Sequence, residues 1–296
     1  MLHSELERLA LRHVPGEGAV VVSRLERGLV NQSYRVERSG RRYALRVPLP
    51  NAPELGLDRG WECRVLERAM AAGIAPPIEC CDPCQGILVA RWVDGAAWTA
   101  EQARRPESIE ELARLTRRIH ALPVPPAARL MSPGAWIAHY HEALIGTGLD
   151  AKHRREQGSG LEARLAALAV LPPPAAVLCH SDLHPQNLIA ADHGLVLLDW
   201  EYAHVSEPFW DLAGWTCNND LGADSRRLLL RSYLGRPPAR DDEARLQALV
   251  WLYDYVCLLW SDLYLRLRKG TGADGIGARA ELLAARLQHE SGGRGG

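Results

Sequence analysis

The sequence predicts an α+β fold in two lobes, a small β-rich N-terminal lobe and a larger, mainly helical C-terminal lobe. Three observations carry that expectation. Residues 1–94 hold short runs that alternate apolar and polar side chains, with one helical stretch among them. After Asp94-Gly95 these give way to helix-start signals and long segments with helical periodicity. One compact β-like insertion, residues 177–198, interrupts the helical part. The organisation expected is 1–94, 95–289 and a Gly-rich tail, 290–296, that reads as disordered.

Each element follows from its pattern. Residues 3–13 form an amphipathic helix. Ala19–Leu25 is rich in valine, Ser33–Glu37 alternates, and Tyr43–Val47 follows the turn at Ser39-Gly40. Asp58–Ala72 reads as a helix with Trp61, Val65, Leu66, Ala69 and Met70 on one stripe and Gly73 as its stop. Ile78–Cys81 and Ile87–Val93 read as a hairpin closed by Asp82-Pro83-Cys84-Gln85-Gly86. Thr99 with Gln102, Ser108 with Glu111, and Ser159 with Glu162 fit capping boxes. Pro-rich connections lie at 123–126 and 172–174, and long helices are expected near 241–268 and 274–289. Gly270-Thr271-Gly272 reads as a linker, because no strand precedes it as in a phosphate loop.

The 296 residues carry a formal net charge of -1, and Lys152 and Lys269 are the only lysines among 35 basic side chains. Nucleic acid is not expected as a partner, since no basic face stands out. The N-terminus is polar from its third residue, unlike a secretory signal, and charges or prolines break the apolar runs, so a membrane span is not expected. Seven cysteines at irregular spacing then predict reduced thiols and a cytoplasmic location. Cys80, Cys81 and Cys84 supply only half of a zinc-site pattern; small side chains beside the Asp82-Pro83 turn are the alternative.

The chemistry is concentrated in residues 179–201. Its skeleton is His180-x-Asp182-x4-Asn187, a short strand, a Gly turn, an apolar strand, then Asp199-x-Glu201. Phosphoryl transfer needs hard oxygen ligands for Mg²⁺, which Asn187 and Asp199 can supply. It also needs a carboxylate that accepts the proton of the attacking hydroxyl, and Asp182 suits that role. Glu201 can assist with metal or substrate. A lone Asp or Asn more often caps a turn, but three such residues at this spacing between apolar strands are hard to explain that way. His180 and His184 would need a helix to share a metal, and Pro185 argues against one.

This segment resembles the Brenner-type motif of the aminoglycoside phosphotransferase and choline kinase superfamily. Asp199-Trp200-Glu201-Tyr202-Ala203 and Pro208-x-x-Asp211-Leu212-Ala213 are similar to its bacterial choline kinase and thiamine kinase branches. The resemblance covers residues 20 to 265 and implies a protein-kinase-like bilobal fold with ATP in the cleft and magnesium as cofactor.

It also implies roles in the first lobe. Arg27-Gly28-Leu29-Val30-Asn31-Gln32-Ser33 resembles the phosphate loop, with Gly28, Asn31 and Ser33 as its nucleotide-binding residues; Val30 stands where the branch has Thr. The usual strand lysine is absent, and Arg46 occupies that strand. An arginine can bridge phosphate oxygens with two donors; the alternative is an exposed arginine on an edge strand. Glu62 would pair with Arg46. Residues 88–95 resemble the hinge, where backbone groups of Arg91, Trp92 and Val93 would meet adenine.

Aromatic residues gather at Phe209-Trp210 with Trp215 and along 251–264. On a helix, Trp251, Asp254, Tyr255 and Asp262 share one side with Leu258, and Tyr253, Cys257, Trp260 and Tyr264 the other. Two aromatics and two acids on one face suit a cation; a core stripe is the alternative. The substrate expected is a small cationic alcohol, choline first, then ethanolamine or thiamine, with Trp251, Asp254 and Tyr255 as its contacts. An aminoglycoside is the nearest alternative, although a polycation favours a more acidic chain. Another class is a catalytically silent nucleotide-binding relative, which the retained Asp182, Asn187 and Asp199 oppose. A hydrolase would need a Gly-x-Ser-x-Gly elbow, which the chain lacks.

Overall fold

A computed structural model describes residues 3–25, 28–49, 53–148, 160–192, 194–268 and 274–292. Packing divides the chain into two compact units. The first comprises Met1–Pro53, Leu57–Trp98 and Pro185–Tyr202, the second Glu54–Gly56, Thr99–His184 and Ala203–Gly296. Residues 185–202 thus pack with the β-rich unit, whereas a division at residue 94 leaves them with the helices. The Ser159 cap, the Gly270–Gly272 linker and the last four residues of the tail lie outside the described residues.

The first unit opens with helix α1 (His3–His13), then β1 (Val21–Arg24), β2 (Asn31–Arg38) and β3 (Arg41–Pro48). Helix α2 (Arg59–Ala71) follows, then β4 (Ile78–Asp82), β5 (Ile87–Arg91) and the short β6 (Ala96–Ala97). The first five strands make an antiparallel sheet in the order β1-β2-β3-β5-β4. Alternation puts Tyr34, Val36, Tyr43, Leu45, Val47 and Val89 on one face, where Leu6, Ala10 and Val14 cover them. Asp58 caps α2 by accepting the Trp61 N–H at 2.9 Å. Cys63 on α2 and Cys81 on β4 form a disulfide, with Cα atoms 5.8 Å apart. This corrects the expectation of reduced thiols at those two positions. It also removes zinc at Cys81, since that sulfur is already bonded. Asp82 then organises the hairpin turn, accepting the N–H groups of Cys84 and Gln85 at 2.9 and 3.0 Å.

The second unit begins with α3 (Ala100–Ala103), α4 (Pro106–His120), α5 (Pro133–Gly146), α6 (Leu161–Ala169) and β7 (Val177–Cys179). The Thr99–Gln102 capping box has both of its hydrogen bonds. Ser108 instead lies inside α4, whose start is set by Arg105 and Pro106, a residue suited to the first helical position. The chain then returns to the first unit as β8 (Leu188–Ala191) and β9 (Gly194–Leu197), which join β6 in a three-stranded antiparallel sheet. Gly95, at φ 149°, lies against the Ala190 carbonyl where any Cβ would collide, so this glycine seats β6 on β8.

Back in the second unit come β10 (His204–Ser206), paired with β7, and the helices α7 (Phe209–Asn218), α8 (Ala223–Leu234), α9 (Arg240–Arg268) and α10 (Asp274–Gly292). By length and composition α9 could cross a bilayer, contrary to the expectation from its sequence. Yet 78% of its apolar window is buried in the protein, which accounts for its character as a core helix.

Candidate active site

In the first unit, Arg46 sits on β3, an interior strand with Ser33 of β2 on one side and Leu88 of β5 on the other. The edge-strand alternative is therefore wrong. Its side chain is 11% exposed, and Nη2 donates to Glu62 Oε2 at 2.6 Å. Nη1 reaches Asp199 Oδ1 at 3.4 Å and Glu201 Oε2 at 3.7 Å. Arg59, at the start of α2, donates to Glu62 and Glu201 at 2.9 and 2.7 Å, and to Asn31 Oδ1 at 2.7 Å. Burial alone would lower the Arg46 pKa, but the charges of Glu62, Glu201 and Asp199 and the Glu62 hydrogen bond hold it above its ordinary value. Two guanidiniums and three carboxylates leave one net negative charge here, which a bound cation would offset.

The β8–β9 hairpin carries Asn187 and Asp199. Leu188 pairs with Leu197, and the Leu198 N–H donates to the Asn187 carbonyl at 2.8 Å, so both residues stand at the same end of the hairpin. Asp199 adopts φ 59°, a left-handed conformation uncommon for a residue with a side chain. Such outliers persist where surrounding structure enforces them, and they cluster at functional sites. An amide oxygen and a carboxylate are hard donors that fit magnesium.

Asp182 belongs to the second unit, on a turn fixed from several sides. The buried Asp211 carboxylate accepts the N–H groups of His180 and Ser181 at 2.9 and 2.7 Å. Tyr253 donates to the Ser181 carbonyl at 3.2 Å, and Asn218 to the Leu183 carbonyl at 3.0 Å. Ser181 itself has φ 69°. The His120 ring holds Asp211 at 3.0 Å and meets the Tyr233 hydroxyl at 2.8 Å through its other nitrogen. Burial would raise the Asp211 pKa, yet the hydrogen bond and charge of His120 keep it lowered. Asp182 keeps 32% of its side chain exposed, and His184 Nε2 lies 3.6 Å from its carboxylate.

Around that turn, Tyr140 and Tyr253 are raised well above the ordinary tyrosine value, chiefly by burial and further by Cys257 and Asp182. Arg279 of α10 is also raised, first by Cys257, with Tyr253, Asp182 and Asp254 adding to it against burial. An arginine therefore shares the electrostatic neighbourhood of Asp182.

The phosphate-loop residues divide. Gly28 has φ 131°, and a Cβ there would run into the Asn31 carbonyl, so the position requires glycine. Asn31 is buried, with both ends of its amide bound to Arg59 and Glu201. Ser33 lies on β2 opposite Arg46. In the hinge segment the N–H of Arg91 donates to Pro77 at 2.8 Å and that of Trp92 to Arg42 at 3.0 Å. Neither of these two N–H groups is left for a base, which corrects the expectation for them alone.

The substrate face on α9 is also corrected. Trp251, Asp254 and Tyr255 are 1%, 5% and 0% exposed. Trp251 stacks on Tyr255 with Arg164 over its ring, and Asp254 Oδ2 is 2.8 Å from Arg286. The chain's own arginines thus take the places an external cation would occupy. Glu201 is likewise buried among Arg59, Arg46 and Asn31 rather than open to a substrate. Sequence reasoning missed Arg59, whose (i, i+3) spacing to Glu62 was the signal, and the anchoring role of Asp211, which stood in a quoted motif.

A family model described as the phosphotransferase enzyme family matches residues 21–249. Protein LicA of Haemophilus influenzae is 24% identical over 218 residues, a match covering 70% of this chain and 60% of LicA. A choline/ethanolamine kinase family protein from Mesorhizobium loti superposes with a TM-score of 0.77 at 25% identity, covering 97% and 94% of the two chains. A LicA structure in complex with AMP gives 0.76 at 21% identity, covering 99% and 100%. With a protein-kinase-like fold and a family match that runs from the first strand into the long core helix, the chain belongs to the phosphotransferase enzyme family.

Proposed function

We propose that this protein is an ATP- and magnesium-dependent kinase that phosphorylates the hydroxyl of a small alcohol. One observation supports the reading above all: Arg46, clamped by Glu62, extends its second nitrogen toward Asp199 from 153 residues away. A cation held at one end by a carboxylate and aimed at a metal-type ligand suits a nucleotide's phosphates. In this reading Arg46 binds phosphate oxygens, and the Gly28–Ser33 loop brings backbone close to them. Asn187 and Asp199 would hold magnesium, whose charge offsets the charge on the phosphates. Asp182 accepts the proton of the acceptor hydroxyl as that oxygen bonds to the γ-phosphorus, and ADP departs with the electrons of the broken bond.

For the acceptor we favour a cationic alcohol, choline before ethanolamine or thiamine. Support comes from the likeness to a choline/ethanolamine kinase family protein. The presence of Arg279 in the electrostatic neighbourhood of Asp182 favours a second reading, an alcohol that also carries an anionic group. An aminoglycoside acceptor and a catalytically silent nucleotide binder complete the alternatives.

The test is ADP release by the full chain with choline, ethanolamine, thiamine, an aminoglycoside, a neutral sugar and a hydroxy acid. Turnover confined to choline, ethanolamine or thiamine is expected. Turnover only with the hydroxy acid selects the second reading, and turnover only with a neutral sugar removes the cation. No ADP with any acceptor, despite bound Mg-ATP, marks the silent relative.

A further inference from the structure

The two arginines of the first unit have different uses. Arg59 Nη1 donates to Glu62 Oε2 and Glu201 Oε2 at 2.9 and 2.7 Å, and Nη2 donates to Asn31 Oδ1 at 2.7 Å. Its side chain is 10% exposed. A guanidinium committed to three close acceptors is held rigidly. Arg46 has one close bond, to Glu62, and its Nη1 contacts are longer, at 3.4 Å to Asp199 and 3.7 Å to Glu201.

Both arginines lean on the same carboxylate oxygens. Glu62 Oε2 receives Arg46 and Arg59 together, and Glu201 Oε2 receives Arg59 and the Asn31 amide. Without Arg59, two buried carboxylates would compete for one guanidinium, since an uncompensated buried charge is costly. Arg46 would be drawn toward Glu201 and away from Asp199. Asn31 Oδ1 would lose its donor, and the loop that holds Gly28 would lose its tie to α2.

We propose that Arg59 is a positioning residue for nucleotide binding. It neutralises Glu201, keeps Arg46 aimed at Asp199, and fixes the phosphate loop through Asn31, without touching the nucleotide. This rests on the kinase reading above.

The test uses the full chain, with Mg-AMP-PNP binding measured by calorimetry and KM measured separately for Mg-ATP and for the acceptor. Circular dichroism confirms each variant is folded at the working temperature. Arg59→Met is expected to weaken Mg-AMP-PNP about tenfold while the acceptor KM stays within about twofold. Arg59→Lys keeps the charge but cannot bridge three acceptors, so it should recover only part of the loss. The charge-balanced Arg59→Met/Glu201→Gln double variant removes the competition but not the loss of the Asn31 tie, so it should bind more tightly than Arg59→Met and less tightly than wild type. A purely structural role would leave the double variant no better than the single, and that result overturns the proposal, as does unchanged binding in Arg59→Met. Should Arg59→Met fail to fold, wild-type affinity in Arg59→Lys overturns it and weakened affinity supports it. A wild-type chain that binds no Mg-AMP-PNP overturns the kinase reading itself.

Discussion

Arg46 Nη2 and Glu62 Oε2 lie 2.6 Å apart, a charge-assisted hydrogen bond that joins the interior strand β3 to helix α2. Both side chains are largely out of water, at 11% and 1% exposure. Removing either partner leaves a charge in a poorly solvated place, which costs far more than the pair itself contributes. Arg46→Met and Glu62→Met should each destabilise the protein by about 3–5 kcal/mol in chemical denaturation. The double variant should cost clearly less than their sum, because it removes both charges. Strict additivity would show that the two side chains do not interact in solution.

Acid should act on the same pair. Burial is the largest influence on Glu62 and would raise its pKa, but Arg46 and then Arg59 outweigh it and hold the value below the usual range. A depressed folded-state pKa contributes stability above the unfolded value, and that contribution disappears as pH falls through the folded value. The stability difference between wild type and Glu62→Gln should therefore be constant above about pH 5 and shrink below about pH 4. Melting temperatures measured from pH 7 to pH 3 check this, and a difference that grows on acidification reverses the sign of the argument.

Much of this was readable because local pattern and tertiary role coincide. The alternation of Tyr34 and Val36, and of Tyr43, Leu45 and Val47, names the strands because one face of the sheet is buried. The spacing from Asp182 to Asn187 and the apolar runs before Asp199 survive folding as a turn and a hairpin. Long-range covering was not readable. A helical wheel shows that Trp251, Asp254 and Tyr255 share a side, but not that Arg164 and Arg286 arrive from other helices to occupy it. Likewise the partnership of Cys63 with Cys81 depends on how α2 lies against β4, and cysteine spacing carries no trace of that packing.

The disulfide makes its own prediction. It closes a loop with a sequence separation of 18 and anchors α2 one residue beyond Glu62. In the chain-entropy model a loop of this size contributes about 3 kcal/mol by restricting the unfolded state. Cys63→Ser and Cys81→Ser should lower the melting temperature by equal amounts. Dithiothreitol should lower the wild type to the same level and leave both variants where they are. A wild type indifferent to dithiothreitol, with no Cys63–Cys81 linked peptide under non-reducing mass spectrometry, would rule the bond out in solution.

Asp182 and Asp199 should separate chemistry from folding. Their side chains are 32% and 39% exposed, so neither is buried as the Arg46–Glu62 pair is. Replacement should be chosen with the backbone in mind. Asp199 sits at φ 59°, where Asn is tolerated and Ala adds strain of about 1–2 kcal/mol. Asp182→Asn and Asp199→Asn should therefore melt close to wild type. If Asp182 accepts the hydroxyl proton, its loss should slow ADP formation between about a hundredfold and ten-thousandfold, with the KM for Mg-ATP little changed. If Asp199 holds the metal, Asp199→Asn should instead raise the magnesium concentration needed for half-maximal rate, since an amide is the weaker ligand for a hard cation. A magnesium titration of both variants distinguishes the two roles. An Asp182→Asn protein with the same magnesium shift as Asp199→Asn, or with near-normal turnover, would falsify the assignment of the proton to Asp182.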